Sequence, residues 1–101
     1  MKRAKIVTNL AKFEGKKYIR GHTEEYIIKN YSTKQHLLSL VNDIIKSSAN
    51  YNLGERLISV YVRTLQFEDA RFVEEHFKRV PIYAFKNIGQ IQVFAEIYGP
   101  V

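Results

Sequence analysis

The feature that most constrains the fold is an amphipathic helical pattern that begins near residue 32. The segment Ser32-Thr33-Lys34-Gln35 matches a capping box, in which Ser32 is the N-cap and Gln35 reaches back to it. The run 47–50 ends the helix, and Asn50 suits a left-handed cap. The apolar residues that recur at helical spacing are Leu37, Leu40, Val41, Ile44 and Ile45. A helix with one such stripe must pack on a sheet or on another helix.

A second helix is predicted over about residues 68–79. Acidic Glu68 and Asp69 fall in its first turn and basic Lys78 and Arg79 in its last, which complements the helix dipole. The stripe that we expect this helix to bury consists of Ala70, Val73, Phe77 and Val80.

Strand patterns surround the two helices. Residues 55–65 alternate, with Ile58, Val60 and Val62 on one face and Leu57, Ser59, Tyr61 and Arg63 on the other. Residues 82–85 and 91–98 form a hairpin, and Gly89 in its turn is available for a positive φ. Near the N-terminus, residues 4–10, 16–20 and 24–30 are β-type, with a reversal at Glu14-Gly15.

This order predicts one α+β domain over residues 1–101. An N-terminal β segment is followed by β-α-β-α-β-β, and both helices pack on one face of a mixed sheet. The length fits a single core. Within the domain, residues 1–31 form the basic N-terminal β segment and residues 32–101 the core.

The positive charge is confined to the first third of the chain. Residues 1–34 contain nine Lys or Arg and three Glu, whereas residues 35–101 contain seven basic and seven acidic side chains. This asymmetry favours a polyanionic partner, either DNA or RNA or an acidic protein. Aromatic residues that can stack on bases are interleaved with these cations, as Phe13, Tyr18, Tyr26 and Tyr31. The residues predicted to bind nucleic acid are Lys12, Lys16, Lys17, Tyr18, Arg20 and Lys29.

A second candidate surface is the sheet face that the helices leave open. An aromatic face of this kind serves as a stacking platform for unpaired bases or as a dimer or partner surface. The alternative is that the N-terminal β segment folds over it. The residues assigned to this partner or dimer surface are Tyr61, Tyr83, Phe85, Phe94 and Tyr98.

The three histidines and the absence of cysteine limit the reactions that this chain could catalyse. His22 lies with Arg20 and Glu24 in a predicted turn, a set that could support metal-independent RNA cleavage. His36 and His76 are expected to be helix-surface residues. The spacing of the histidines predicts no metal site, and no cofactor is expected. The absence of cysteine excludes disulfides and thiolate chemistry and fits the cytoplasm. No apolar run is long enough to span a membrane.

The leading hypothesis is a non-enzymatic nucleic-acid-binding or regulatory module. The second is a protein-interaction module, an inhibitor or accessory factor that docks an acidic partner. The third is a small ribonuclease. Richness in Lys, Ile, Asn and Tyr is typical of an AT-rich genome, such as that of a low-GC bacterium or its phage.

Overall fold

A computed structural model describes residues 2–48, 54–85 and 89–97, without the side chains of residues 84 and 85. The element order confirms the α+β prediction, with two strands before the first helix. The elements are β1 (Lys2–Glu14), β2 (Lys17–Tyr31), α1 (Lys34–Ser47), β3 (Glu55–Thr64), α2 (Phe67–Arg79), β4 (Ile82–Phe85) and β5 (Gly89–Ile97).

The strands form a five-stranded mixed sheet in the order β2-β1-β3-β5-β4. The β3–β5 pair is parallel and the other three pairs are antiparallel. Because β1 lies inside the sheet between β2 and β3, the N-terminal strands do not cover the open face, and that alternative was wrong. Neither described helix is long and apolar enough to cross a membrane.

The N-terminal β segment is one long hairpin. The predicted segments 16–20 and 24–30 are continuous within β2, so His22 lies in a strand and its predicted turn was wrong. Glu14 pairs with Lys17 across the two-residue turn Gly15-Lys16. Gly15 has a φ of 60°, the glycine-first pattern of a type II′ turn, whose twist matches that of the strands.

The core lies between the two helices and one face of the sheet. Strands β1, β2, β3 and β5 contribute buried side chains to this core. Each such aliphatic side chain stabilises the fold by about 1.5–3 kcal/mol relative to its exposed state. The buried helix residues are Leu37, Val41 and Ile45 of α1 and Asp69, Ala70, Val73 and Phe77 of α2. Val80, which was predicted to join them, follows the end of α2 and is exposed.

A β-bulge reverses the predicted alternation at the start of β3. Asn9 pairs with Ser59 but Leu10 pairs with Leu57, which leaves Ile58 as the extra residue. Leu57 is fully buried in the core, while Ile58 is 40% exposed. The predicted faces of these two residues were therefore wrong, whereas Val60 and Val62 face the helices as expected.

The cap of α1 lies one residue later than predicted. The N-cap is Thr33, whose Oγ1 accepts from the His36 backbone N–H at 3.1 Å. The Ser32 backbone N–H donates to His36 Nδ1 at 3.0 Å, so histidine takes the role that had been assigned to Gln35. His36 therefore helps to cap α1, a role that its position in the sequence did not indicate. Asn50 lies outside the described residues.

A buried polar contact ties the start of the sheet to α2. The Tyr31 hydroxyl donates to Asp69 Oδ2 at 2.9 Å, and Lys2 Nζ lies 3.2 Å from the same oxygen. Tyr31 is only 1% exposed. Desolvation by burial, with the hydrogen bond to Asp69 and the charge of Asp69, raises the pKa of Tyr31 to about 12.

Candidate nucleic-acid interface

The far end of the β1–β2 hairpin projects beyond the rest of the sheet. Pairing between β1 and β3 ends at Lys12, opposite Glu55. One more backbone bond follows, in which the Phe13 N–H donates to the Gly54 carbonyl at 3.0 Å. We call residues 12–20 the hairpin tip. Among the described residues, β1 and β2 have no further strand partner beyond this bond, and residues 14–20 are exposed.

Four predicted phosphate ligands meet at the hairpin tip. Lys12 and Arg20 are cross-strand neighbours, Lys16 lies in the turn, and Lys17 follows it. Glu14 is the one carboxylate of the tip, whose net charge is therefore +3. Within the described part of the chain, none of these four cations forms an ion pair with a carboxylate. The tip thus carries a net positive charge, although Lys17 lies opposite Glu14 and Lys12 opposite Glu55 in the strand register.

Lys29 does not join this group. It lies nine residues beyond Arg20 on the same strand, which is about 30 Å at the usual rise per residue. Tyr31, one of the aromatic residues interleaved with the cations, is in the core and has no exposed ring for stacking. Tyr26 is half-buried and donates its hydroxyl proton to Glu24 at 2.7 Å. Desolvation by burial, followed by the contact with Glu24, raises the pKa of Tyr26.

An aromatic–arginine cluster forms one side of the hairpin tip. The Phe13 and Tyr18 rings meet edge to face at 5.9 Å between centroids. The Arg56 guanidinium lies 4.6 Å from the Phe13 ring centroid. Tyr18 is 57% exposed, and its hydroxyl lies over Gly21. A Cβ at position 21 would be 3.2 Å from this hydroxyl. We call Phe13, Tyr18 and Arg56 the tip cluster. Arg56 lies outside the basic N-terminal segment, so charge segregation gave no signal for it.

A similar cluster lies at the centre of the sheet. The Tyr61 and Phe94 rings stack at 5.1 Å with 25° between their planes, and the Arg63 guanidinium is 5.5 Å from the Tyr61 centroid. We call these three residues the central cluster. Tyr83, also assigned to this surface, is 69% exposed on β4. The side chain of Phe85 and all of Tyr98 lie outside the described residues.

Both clusters lie on the open face of the sheet. Along β1, the residues Ile6 and Leu10 point into the core, so the alternating positions Val7 and Phe13 point to the other face. Val7 pairs with Tyr61, which puts the central cluster on the same face as Phe13. The two clusters are therefore parts of one surface.

His22 lies on the other side of the hairpin, between two carboxylates. Its Nδ1 is 3.2 Å from Glu55 Oε2 and its Nε2 is 3.4 Å from Glu24 Oε1. Glu24 was predicted as a neighbour, but Glu55 is 33 residues away in sequence and no local pattern could have found it. The residues that the structure describes contain no group of three or more His, Asp or Glu side chains placed to hold a metal ion.

These elements define a two-layer α+β protein whose projecting hairpin is basic and whose open sheet face carries two aromatic–arginine clusters. No protein-family model matches the chain, and neither the curated proteins nor the solved structures include a significant match to it.

Proposed function

We propose that this protein is a nucleic-acid-binding module that holds phosphates with its hairpin tip. The observation that carries the proposal is the convergence of Lys12, Lys16, Lys17 and Arg20 at one projecting end without a described carboxylate partner. Cations that are already paired release little free energy on meeting a phosphate. Unpaired ones displace counterions from the nucleic acid, and that release drives binding.

The shape of the tip supports the same role. The hairpin tip extends past the last paired residues of β1 and β3, and Lys16, Lys17 and Arg20 are exposed there to a phosphate chain. Lys16 and Lys17, at the very end, make the first contacts, and Lys12 and Arg20 flank them one step closer to the sheet. Lys29, at the opposite end of β2, is not part of this contact.

The test is a binding titration with labelled oligonucleotides at low salt. The triple variant Lys16→Gln, Lys17→Gln and Arg20→Gln should weaken binding by more than 10-fold and leave the thermal melt nearly unchanged, because all three side chains are exposed.

The matched control removes the same charge from exposed cations near the C-terminal ends of the two helices. It carries the substitutions Lys46→Gln, Lys78→Gln and Arg79→Gln. Binding by this control should change by less than threefold. Equal losses in the two triple variants would mean that net charge alone matters, and the proposed site would be wrong.

The same cations fit an acidic protein surface, which is the second candidate. A stoichiometric protein complex that survives nuclease treatment and is lost in the tip variant would favour it over nucleic acid.

RNA cleavage is a third candidate, favoured by the placement of His22 between Glu24 and Glu55 and beside Arg20 on the same strand face. Under this hypothesis His22→Ala abolishes cleavage but keeps RNA binding. If the parent protein leaves RNA intact, this candidate is discarded.

A further inference from the structure

We propose that the ligand is single-stranded, and that its unpaired bases stack on the tip cluster and on the central cluster. This inference rests on the proposed nucleic-acid binding and names the strandedness and the path of the ligand.

The tip cluster combines a base-stacking surface with phosphate ligands. Tyr18 exposes more than half of its surface, and its ring is braced by Phe13, which is in turn covered by Arg56. A braced ring loses little conformational freedom when a base stacks on it. Lys16 lies in the turn at the end of the hairpin, two residues from Tyr18, so it can hold the phosphate of a nucleotide whose base stacks on the Tyr18 ring.

The central cluster is a second platform of the same composition. Tyr61 stacks on the Phe94 ring, the Arg63 guanidinium lies 5.5 Å from the Tyr61 centroid, and both aromatic side chains are only half-buried on neighbouring strands. Arg63 also pairs with Glu96 at 3.4 Å. The charge of this arginine is compensated, so the central cluster suits the neutral base of a nucleotide better than its phosphate.

A row of hydrogen-bonded polar side chains lies between the two clusters. Phe13 lies six residues from Val7, the partner of Tyr61, which is about 20 Å along the strand. Across this stretch Thr23 Oγ1 donates to Asn9 Oδ1 at 3.0 Å, and Asn9 Nδ2 donates to Ser59 Oγ at 3.0 Å. This row of hydroxyl and amide groups crosses three strands, and it offers hydrogen-bond partners to sugars and base edges.

The separation of the tip cations from the central aromatic rings favours a single-stranded ligand over a duplex. In a duplex the base faces are stacked on one another, so a duplex can use only the cations of the tip. In the described central part of the open face, Lys5 pairs with Glu25 at 2.7 Å and Arg63 with Glu96, so this part attracts a phosphate less strongly than the tip does. Only a strand with free bases gains from both clusters.

The experiment compares single-stranded DNA, single-stranded RNA and a DNA duplex, each about 12 nucleotides long, a length within the site sizes of small single-strand binders. Both single strands should bind at least 10-fold more tightly than the duplex. The protein contains no tryptophan, so its intrinsic fluorescence comes from tyrosine, and binding of single strands should quench it.

Tyr18→Leu should weaken binding of single strands by about 5- to 150-fold, the loss expected for one stacked base. It should leave duplex binding within twofold. Phe94→Leu should act in the same direction, and a thermal melt verifies that it is folded. Phe72→Leu is the control, because Phe72 is an aromatic residue of α2 that contacts Lys34 and lies away from the open face of the sheet, and it should change neither affinity.

The two proposals fail differently. Equal affinity for duplex and single strand, together with an unaffected Tyr18→Leu, would overturn the stacking inference and leave phosphate binding by the tip intact. Absence of binding to all three probes would overturn both. Quenching that is undiminished in a Tyr18→Leu and Tyr61→Leu double variant, which removes the tyrosine of each cluster, would also contradict the stacking inference.

Discussion

At the residue scale, burial rather than residue type separates the aromatic side chains of the basic segment. Tyr18 and Tyr31 both lie among cations in the sequence, yet Tyr18 is exposed at the tip and Tyr31 is in the core with Asp69. The charge count located the cations in the sequence. It could not predict the burial of Tyr31, because the partner Asp69 is 38 positions away and is itself buried.

Tyr31 should make the free energy of unfolding fall between about pH 10 and pH 12. Its pKa rises from 10.0 to about 12 on folding, so below pH 10 the hydroxyl is protonated in both states. Between the two values only the unfolded chain releases the proton, which favours unfolding. Urea denaturation across this range should show a steeper decline for the parent than for Tyr31→Phe.

At neutral pH, Tyr31→Phe should be less stable than the parent by about 1–3 kcal/mol, because buried Asp69 loses a donor. The exposed Tyr18→Phe is the control and should follow the parent at every pH. Parallel pH curves for the parent and Tyr31→Phe would contradict the assignment.

Gly54→Ala should destabilise the protein by about 1–3 kcal/mol. Gly54 has a φ of 78°, and a Cβ there would collide with the Phe13 carbonyl oxygen. Gly15→Ala is the matched control: its φ is also positive, at 60°, but its Cβ would meet no neighbour. Chemical denaturation should therefore give a lower free energy of unfolding for Gly54→Ala than for Gly15→Ala. The reverse order would contradict the close approach of Gly54 to Phe13.

At the element scale, periodicity predicted both helices and the strand pattern after them, whereas details set by tertiary pairing escaped it. The bulge at Ile58 follows from the register of β3 against β1, two strands whose paired residues lie 43 or more positions apart in sequence. The continuity of β2 through Gly21 also depends on pairing, since Gly21 lies opposite Ala11 in mid-strand. A glycine read by itself favours a turn there.

The cap of α1 gives an element-scale test. Thr33→Ala should lower the free energy of unfolding by about 1 kcal/mol, because the His36 backbone N–H loses its side-chain acceptor. Ser32→Ala should cost clearly less, since the Ser32 backbone N–H still donates to His36 Nδ1. Urea titrations of both variants decide between the two caps, and a larger loss for Ser32→Ala would restore the capping box that the sequence had indicated.

At the scale of the whole molecule, the basic side chains concentrate at the hairpin tip, and the two aromatic–arginine clusters lie on the open face of the sheet. The sequence predicted an excess of cations and an aromatic sheet face, but not that Phe13 and Tyr18 would lie on the same face as Tyr61 and Phe94. That relation depends on β1 running through the sheet next to β3. The sheet topology therefore brings aromatic residues of the basic N-terminal segment onto the open sheet face, which the sequence analysis had treated as a separate candidate surface.

The most direct test of the account is the salt dependence of single-strand binding. Four phosphate contacts by the tip cations predict that log affinity falls with log salt concentration at a slope of about −3, and at about −1 in the Lys16, Lys17 and Arg20 triple glutamine variant. A slope that is the same in the two proteins, or an affinity of the parent that does not respond to salt, would contradict phosphate binding by the hairpin tip.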